Sequence, residues 1–370
     1  MISGLVRPVL TLALAAAPPI AMAQGASPED RTPVGFWVRL TYSEASDEAM
    51  WVQLEEAGAT DLFVETFYHG LVIYPGSQVT GQRPELQGRD PLAWAIERGA
   101  ERGIRVHAWV HALRLGPDYE RFPQTPPHPW MAEGQAWRTV GLDGSPHGEF
   151  LVSAAVPEVR DIARRVCAEI VETHPGIAGI NLDYIRWPEG GEFWYEPVNV
   201  QQYIDAGGAD PRTDRSEENI RRFRQHSADQ VTSLVREIGA DVHTLDPGVL
   251  LSAAFFPGID ERDRWFKAQD WPAWVRERLL DVATPMCYAY ALGGITREVT
   301  TVTALARPAG VPVWAGLAVQ RGTEHPRAVE QLDVVRDRGL SGVVFFSHGW
   351  VGQGPGEFGE IGAWFRVNRL

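Results

Sequence analysis

The residues best suited to chemistry stand at the end of one apolar run. From Gly176 the chain reads Gly-Ile-Ala-Gly-Ile-Asn-Leu-Asp-Tyr-Ile-Arg-Trp-Pro, which crowds Asp183, Tyr184, Arg186 and Trp187 where a buried strand would leave its sheet. A carboxylate there suits acid–base or nucleophilic work; the plainer alternative is a group that caps a turn or bridges a loop. Arg186 either holds Asp183 ionised, which suits a base or nucleophile, or anchors the loop. Glu65, near the end of an earlier strand, is the candidate second carboxylate. It either shares a cavity with Asp183 or pairs with Arg39 and ties two strands together. Glu189 and Glu192, just beyond Asp183, are the fallback candidates.

Strand parity says which face carries these groups. Ile177, Gly179, Asn181 and Asp183 share one face, and Ala178, Ile180 and Leu182 the other. The same mixed-against-apolar grammar recurs at Val34 to Leu40, Asp61 to Phe67 and Arg105 to Ala112. Their mixed faces carry Gly35, Trp37 and Arg39; Phe63, Glu65 and Phe67; and His107, Trp109 and His111. Four more strands are expected at Val249 to Pro257, Asp281 to Tyr288, Val311 to Gln320 and Gly342 to His348. Helices are expected between them: from Ser46 as cap to Gly58, from Asp90-Pro91 to Gly103, and from Pro157 with Val159, Ile162, Val166 and Ile170 as a stripe. A further helix carries Phe223, Val231, Leu234 and Ile238. Eight alternations without a Gly-rich dinucleotide loop after the first strand point to an α/β fold of one domain, a (β/α)8 TIM barrel. Two βα loops are long, Leu113 to Phe150 and Glu189 to Ser216. Mixed faces then point inward and Asp183 ends at the C-terminal mouth, where such barrels keep their chemistry. Trp37 and Trp314, within strands, read as barrel core.

At 370 residues and 44% apolar composition, the chain can bury a core of that size. Residues 5 to 23 are apolar with a single Arg7, and Ala21-Met22-Ala23 precedes Gln24: a secretory signal peptide over 1–23, cleaved after Ala23, with a leader over 24–33 and the barrel over 34–370. This places the mature protein in the periplasm or outside the cell, with no membrane association after cleavage. A net charge of −14 argues against nucleic-acid or anionic-membrane partners. Cys167 and Cys287, with no CxxC pair, read as buried free thiols.

Several segments together resemble the glycosyl-hydrolase-like family 10 of exported bacterial barrel proteins. They are Gly35-Phe36-Trp37-Val38-Arg39, Asp90-Pro91-Leu92-Ala93-Trp94-Ala95-Ile96, His107-Ala108-Trp109-Val110, His128-Pro129-Trp130, Val156-Pro157-Glu158-Val159-Arg160, Leu182-Asp183-Tyr184-Ile185-Arg186-Trp187-Pro188 and Gln269-Asp270-Trp271. Pro285-Met286-Cys287-Tyr288 and Trp314-Ala315-Gly316-Leu317 extend the likeness. The resemblance implies a (β/α)8 barrel acting on bacterial polysaccharide, peptidoglycan glycan or an exopolysaccharide, with Asp183 as the central carboxylate. Phe67, where a polar or basic side chain is common, and His111, where Asn is common, depart from the family pattern.

Cleavage of a glycosidic bond requires a carboxylic acid for the leaving oxygen and usually a second carboxylate, which gives Asp183 and Glu65 their roles. Trp109, Tyr68, Trp187, Trp194, Tyr195, Tyr288 and Trp350 fall at or just beyond strand ends, where aromatic faces stack on sugar rings. Arg39, Tyr184 and Arg186 complete the substrate-binding set, with His111 bonding sugar hydroxyls. His107 reads as packed and satisfied. A metal reading of His107 and His111 lacks the His-x-His that hydrolytic metal barrels carry after the first strand, so neither metal nor cofactor is expected. The competing reading is a non-catalytic glycan-binding barrel that keeps Asp183 for hydrogen bonding.

Overall fold

In the computed structural model, which describes residues 31–370 apart from 42, 87, 261–265, 320–324 and 355, eight parallel strands close on themselves. They are β1 (Val34–Val38), β2 (Asp61–Tyr68), β3 (Arg105–His111), β4 (Gly179–Asp183), β5 (Leu250–Phe255), β6 (Val282–Cys287), β7 (Trp314–Ala318) and β8 (Gly342–Phe346). Each strand pairs with the next, and β1 pairs with both β2 and β8 to complete the cylinder. This is the (β/α)8 barrel expected from the alternation. The expected signal peptide, 1–23, and its cleavage site at Ala23 lie outside the described residues, as does most of the leader.

Ten helices follow in chain order among the described residues: α1 (Glu44–Glu56), α2 (Pro91–Arg102), α3 (Pro157–Thr173), α4 (Pro197–Asp205), α5 (Glu217–Leu245), α6 (Trp271–Arg276), α7 (Leu292–Ala309), α8 (Ala328–Asp337), α9 (His348–Val351) and α10 (Glu357–Val367). Helix α2 starts and stops as its sequence demands: the Asp90 carboxylate accepts from the Ala93 N–H, Pro91 fills N1, and Gly103 ends it at φ 64°. Ser46, in contrast, is no cap. The N-cap is Ser43 and Ser46 lies exposed within α1. Asp47 governs that entry instead, its Oδ1 accepting from the Thr41 N–H and hydroxyl at 2.9 and 2.8 Å. The buried stripe of α3 is Val159, Ile162, Val166 and Ile170, and α5 buries Phe223, Val231, Leu234 and Ile238. The outer faces of the strands, among them Phe36, Leu62, Val64, Ala108, Ile180 and Leu182, join these helices in one apolar layer.

Inside the barrel, Trp37, Phe63, Trp109 and Trp314 pack with Ala254, Val282 and Val344. Rings of that size fit because their neighbours are small. A Cβ on Gly179 would stand 2.4 Å from His107 Nδ1 and 2.7 Å from the Leu250 carbonyl. Asn181 bonds across this interior. It accepts from Trp37 Nε1 at 3.0 Å and donates to the hydroxyls of Ser252 and Thr284 at 2.9 and 3.1 Å, linking β1, β4, β5 and β6. Nearer the N-terminal end, His107 stacks on Phe63 and its Nε2 meets Asp61 Oδ1 at 2.8 Å. Burial alone would raise the Asp61 carboxyl, but His107 and Arg105 hold it below the ordinary range.

Phe67 breaks the parity rule. Glu65 faces Trp109 and Phe67 faces Val110, so a bulge at Thr66 inserts one residue and turns every later side chain over. Phe67 therefore packs outward with the helices, not at the mouth, and Tyr68 takes the inward place beside His111. The two long loops also carry structure. Arg114–Gly116 pairs antiparallel with Phe150–Leu151, and α4 lies within the second loop. The loops are joined by a buried bond from the Ser153 hydroxyl to Glu196, by the Tyr195 N–H to the Val140 carbonyl at 3.1 Å, and by Gln202 Nε2 to the Ala155 carbonyl at 2.9 Å.

Cys167 and Cys287 are buried free thiols, one in α3 and one in β6. Burial pushes the Glu196 carboxyl up to about 8, with the Ser153 bond opposing it. A carboxyl raised in the folded state stabilises fully below its unfolded value and loses that contribution as pH rises through the folded one. Glu196→Gln keeps the acceptor for Ser153 and has no charge to bury. It is expected to melt above the wild type at pH 8.5, with the two melting curves converging towards pH 5, as followed by calorimetry.

Candidate active site

The C-terminal end of β4 delivers Asp183 into the mouth. Its Oδ2 accepts from Trp109 Nε1 at 3.0 Å and its Oδ1 from the Tyr184 N–H at 2.6 Å. The strand stops there because Tyr184 takes a left-handed φ of 49°, uncommon for a side-chain-bearing residue and typical of sites where position outweighs strain. Burial raises the Asp183 carboxyl above the ordinary range, against the opposing pull of Arg186 and the two N–H donors. Of the two readings the sequence left open for Arg186, the geometry presents the loop anchor. Desolvation outweighs a guanidinium that forms its closest ion pair with Glu189 at 3.3 Å and lies over the rings of Tyr184 and Phe256. Such a group suits proton donation.

Glu65 sits on β2, wholly buried, with both oxygens engaged. Arg39, just past β1, reaches it through Nε and Nη2, the latter at 2.7 Å, and His111 Nε2 stands 3.3 Å from Oε1. The bracing role left open by the sequence is the one this geometry presents, with Arg39 as the partner. The His111 ring lies between the carboxylates, 4.8 Å from the Tyr184 ring and 5.2 Å from that of Trp109. Burial, with Arg114 and Arg39 nearby, pushes His111 well below its ordinary value, so it is a neutral imidazole. Neither of its nitrogens has a hydrogen-bond partner meeting normal geometry, which leaves capacity for a substrate hydroxyl. Of the fallback carboxylates, Glu192 is clamped by Arg224 at 2.6 Å, Arg215 at 3.3 Å and the Tyr195 hydroxyl at 3.1 Å. Glu189 is exposed.

The aromatic residues divide. Trp187 and Trp194, both 0% exposed, have no open face; the Trp187 backbone N–H bonds the Lys267 carbonyl at 2.9 Å. Tyr195 is buried too, against Phe223. Trp109 is buried and contributes its N–H to Asp183 instead of a stacking face. Tyr68 is covered by Arg83, 4.1 Å from its centroid, and Tyr184 lies between Arg114 at 4.7 Å and Arg186 at 4.6 Å. Tyr288 and Trp350 keep partly open rings on either side of Phe346, at 5.6 and 4.9 Å. Sequence reasoning overlooked Arg83, Arg114, His69 and Phe346. Arg83 comes from an irregular segment and Arg114 from a three-residue strand too short to show a periodicity, and His69 follows a bulge that parity does not foresee. Burial, with Arg114, Arg83 and Arg39, pushes His69 down to about 3. Among the described residues no His, Cys, Asp and Glu cluster is arranged to hold a metal.

The structure is thus a closed (β/α)8 barrel with a buried carboxyl at its C-terminal mouth. The chain belongs to the Glycosyl hydrolase-like 10 family, whose model matches residues 49–327. It is 23% identical to the glycosyl hydrolase DigH of Escherichia coli K12 over 259 residues, covering 64% of this chain and 56% of that protein. The chain thus spans little more than half the length of the curated relatives it matches. In fold it resembles the PgaB (BpsB) glycoside hydrolase domain from Bordetella bronchiseptica, with a TM-score of 0.68 at 12% identity, covering 92% of this chain and 99% of that one. It also resembles a β-galactosidase from Rahnella sp. R3, with a TM-score of 0.63 at 14% identity, covering 93% of this chain and 57% of the other.

Two substitutions test the electrostatics. Because the Asp183 carboxyl is raised in the folded state, its ionisation costs stability above the unfolded value near 3.9. Asp183→Asn should melt as high as the wild type or a few degrees higher at pH 7, and the gap should vanish near pH 3.5. Collapse of the fold would instead make Asp183 structural. Glu65→Gln, which strips the Arg39 pair of its charge, should cost roughly 1–3 kcal/mol in denaturant unfolding at pH 7.

Proposed function

We propose that the chain is an exported glycoside hydrolase that cleaves a bacterial polysaccharide, peptidoglycan glycan or an exopolysaccharide, using Asp183 as proton donor to the leaving oxygen. The observation that carries this is the state of Asp183: a buried carboxyl with a raised pKa, oriented by Trp109 and the Tyr184 N–H, at the mouth of a barrel of this family. A barrel dedicated to stability has no need to hold an acid there.

The oxocarbenium-like transition state places positive charge on the sugar. Glu65, kept in place by Arg39, supplies a fixed negative charge across the mouth, and neutral His111 between them accepts or donates to a ring hydroxyl. Tyr288, whose phenol burial keeps protonated, provides a further donor. The apolar run over residues 5–23 with Ala21-Met22-Ala23 supports export.

The engagement of Glu65 by Arg39 favours one rival, a glycan-binding barrel without turnover. Product release from purified peptidoglycan glycan and from common exopolysaccharides separates the two. The wild type should release new reducing ends, and Asp183→Asn should lower the rate by a factor of about 10²–10⁴. Equal retention of glycan by both proteins with no product from either overturns the hydrolase.

A further inference from the structure

Beyond Asp183 the mouth opens into a groove of about 520 Å³ between the segments that follow β5 and β6, floored by Phe256 and walled by Tyr288 and Tyr290. It is continuous with the site. Phe256 lies beneath the Arg186 guanidinium at 5.1 Å, that guanidinium covers Tyr184, and the Tyr288 ring stacks on Phe346, which meets the Trp109 ring that donates to Asp183. At the far end the surface becomes apolar where a soluble barrel would be polar. Tyr290 is 62% exposed, Ile259 53% and Leu292 36%. The Tyr290 ring leans on His325, 4.5 Å between centroids, which gives an exposed ring a fixed orientation. The opposite wall is polar, with Arg297, Glu298 and Thr301 from α7.

A groove with aromatic rings along one side and charged and hydroxyl groups along the other matches a chain of pyranose rings, whose faces are apolar and whose edges carry hydroxyls. Tyr288 and Tyr290 are two residues apart in non-helical backbone, so their rings lie at successive distances from Asp183. A single sugar bound at Asp183 has no use for Tyr290.

Resting on the hydrolase reading above, we propose that this groove holds the glycan on one side of the scissile bond, with Tyr290 as its outermost stacking platform, so that sugars beyond the one at Asp183 add to binding. Hydrolysis itself balances with water as co-reactant: the glycosidic C–O bond breaks, the leaving oxygen takes the Asp183 proton, and water supplies the new hydroxyl and returns a proton.

The test uses the full chain on soluble, peptide-free peptidoglycan glycan strands and on a soluble poly-hexosamine exopolysaccharide, each alongside its own disaccharide. Tyr290→Ala should raise KM for the polymer about tenfold more than KM for the disaccharide, and Tyr290→Trp should restore it. Equal KM changes on polymer and disaccharide overturn the groove while leaving the hydrolase intact. No product from any glycan with the wild type overturns both.

Discussion

Everything at the mouth depends on keeping one carboxyl group out of water without a cation in contact with it. Asp183 is held by two N–H dipoles, from Trp109 and Tyr184, and dipoles stabilise a carboxylate less than an ion pair does. The proton is consequently retained more tightly than in water. The cations that do approach the mouth are occupied with other carboxylates, Arg39 with Glu65, Arg114 with Glu149 and Arg186 with Glu189. This separation of charge keeps Asp183 acidic in the chemical sense. Had Arg186 made the contact with Asp183, the same residues would form a buried salt bridge with little catalytic use.

Holding those dipoles in place is a packing problem solved lower in the barrel. Trp109 can aim its N–H at Asp183 because its ring is fixed between Phe346 and His111, Phe346 meets Trp37, and Trp37 is in turn fixed by Asn181. Asn181 stands two residues before Asp183 on the same face of β4. One strand thus supplies both Asp183 and a group that positions its support. Gly179, two residues earlier again, supplies the space that His107 occupies.

The fold was legible because its signals are periodic. Each strand alternates an apolar face with a mixed one, and Asp90-Pro91 and Gly103 bracket a helix by chemistry that depends on nothing distant. The bulge at Thr66 has no such signal, since its cause lies in the pairing with β3; hence Phe67 was assigned to the wrong face while Glu65, just before it, was not. The aromatic residues show a second limit. Trp187 and Tyr288 both follow strand ends, but burial is decided by what packs over them, and Lys267, whose carbonyl accepts from the Trp187 backbone N–H, is far away in sequence. The choice between the two readings of Arg186 was open for the same reason: Arg186 is visible as a neighbour in sequence, whereas desolvation is the summed effect of the whole mouth.

The seam where the cylinder closes adds a temporal consequence. β1 is hydrogen-bonded on one side to β2 and on the other to β8, and Asn181 binds a tryptophan from β1 and a hydroxyl from β6. Contacts of such long sequence separation form late, because loop closure must precede them. While the later strands are still to dock, the wall beside Asp183 is open, and water reaches a carboxyl that the finished barrel buries. The desolvation that raises this carboxyl is therefore completed only when the last strands arrive.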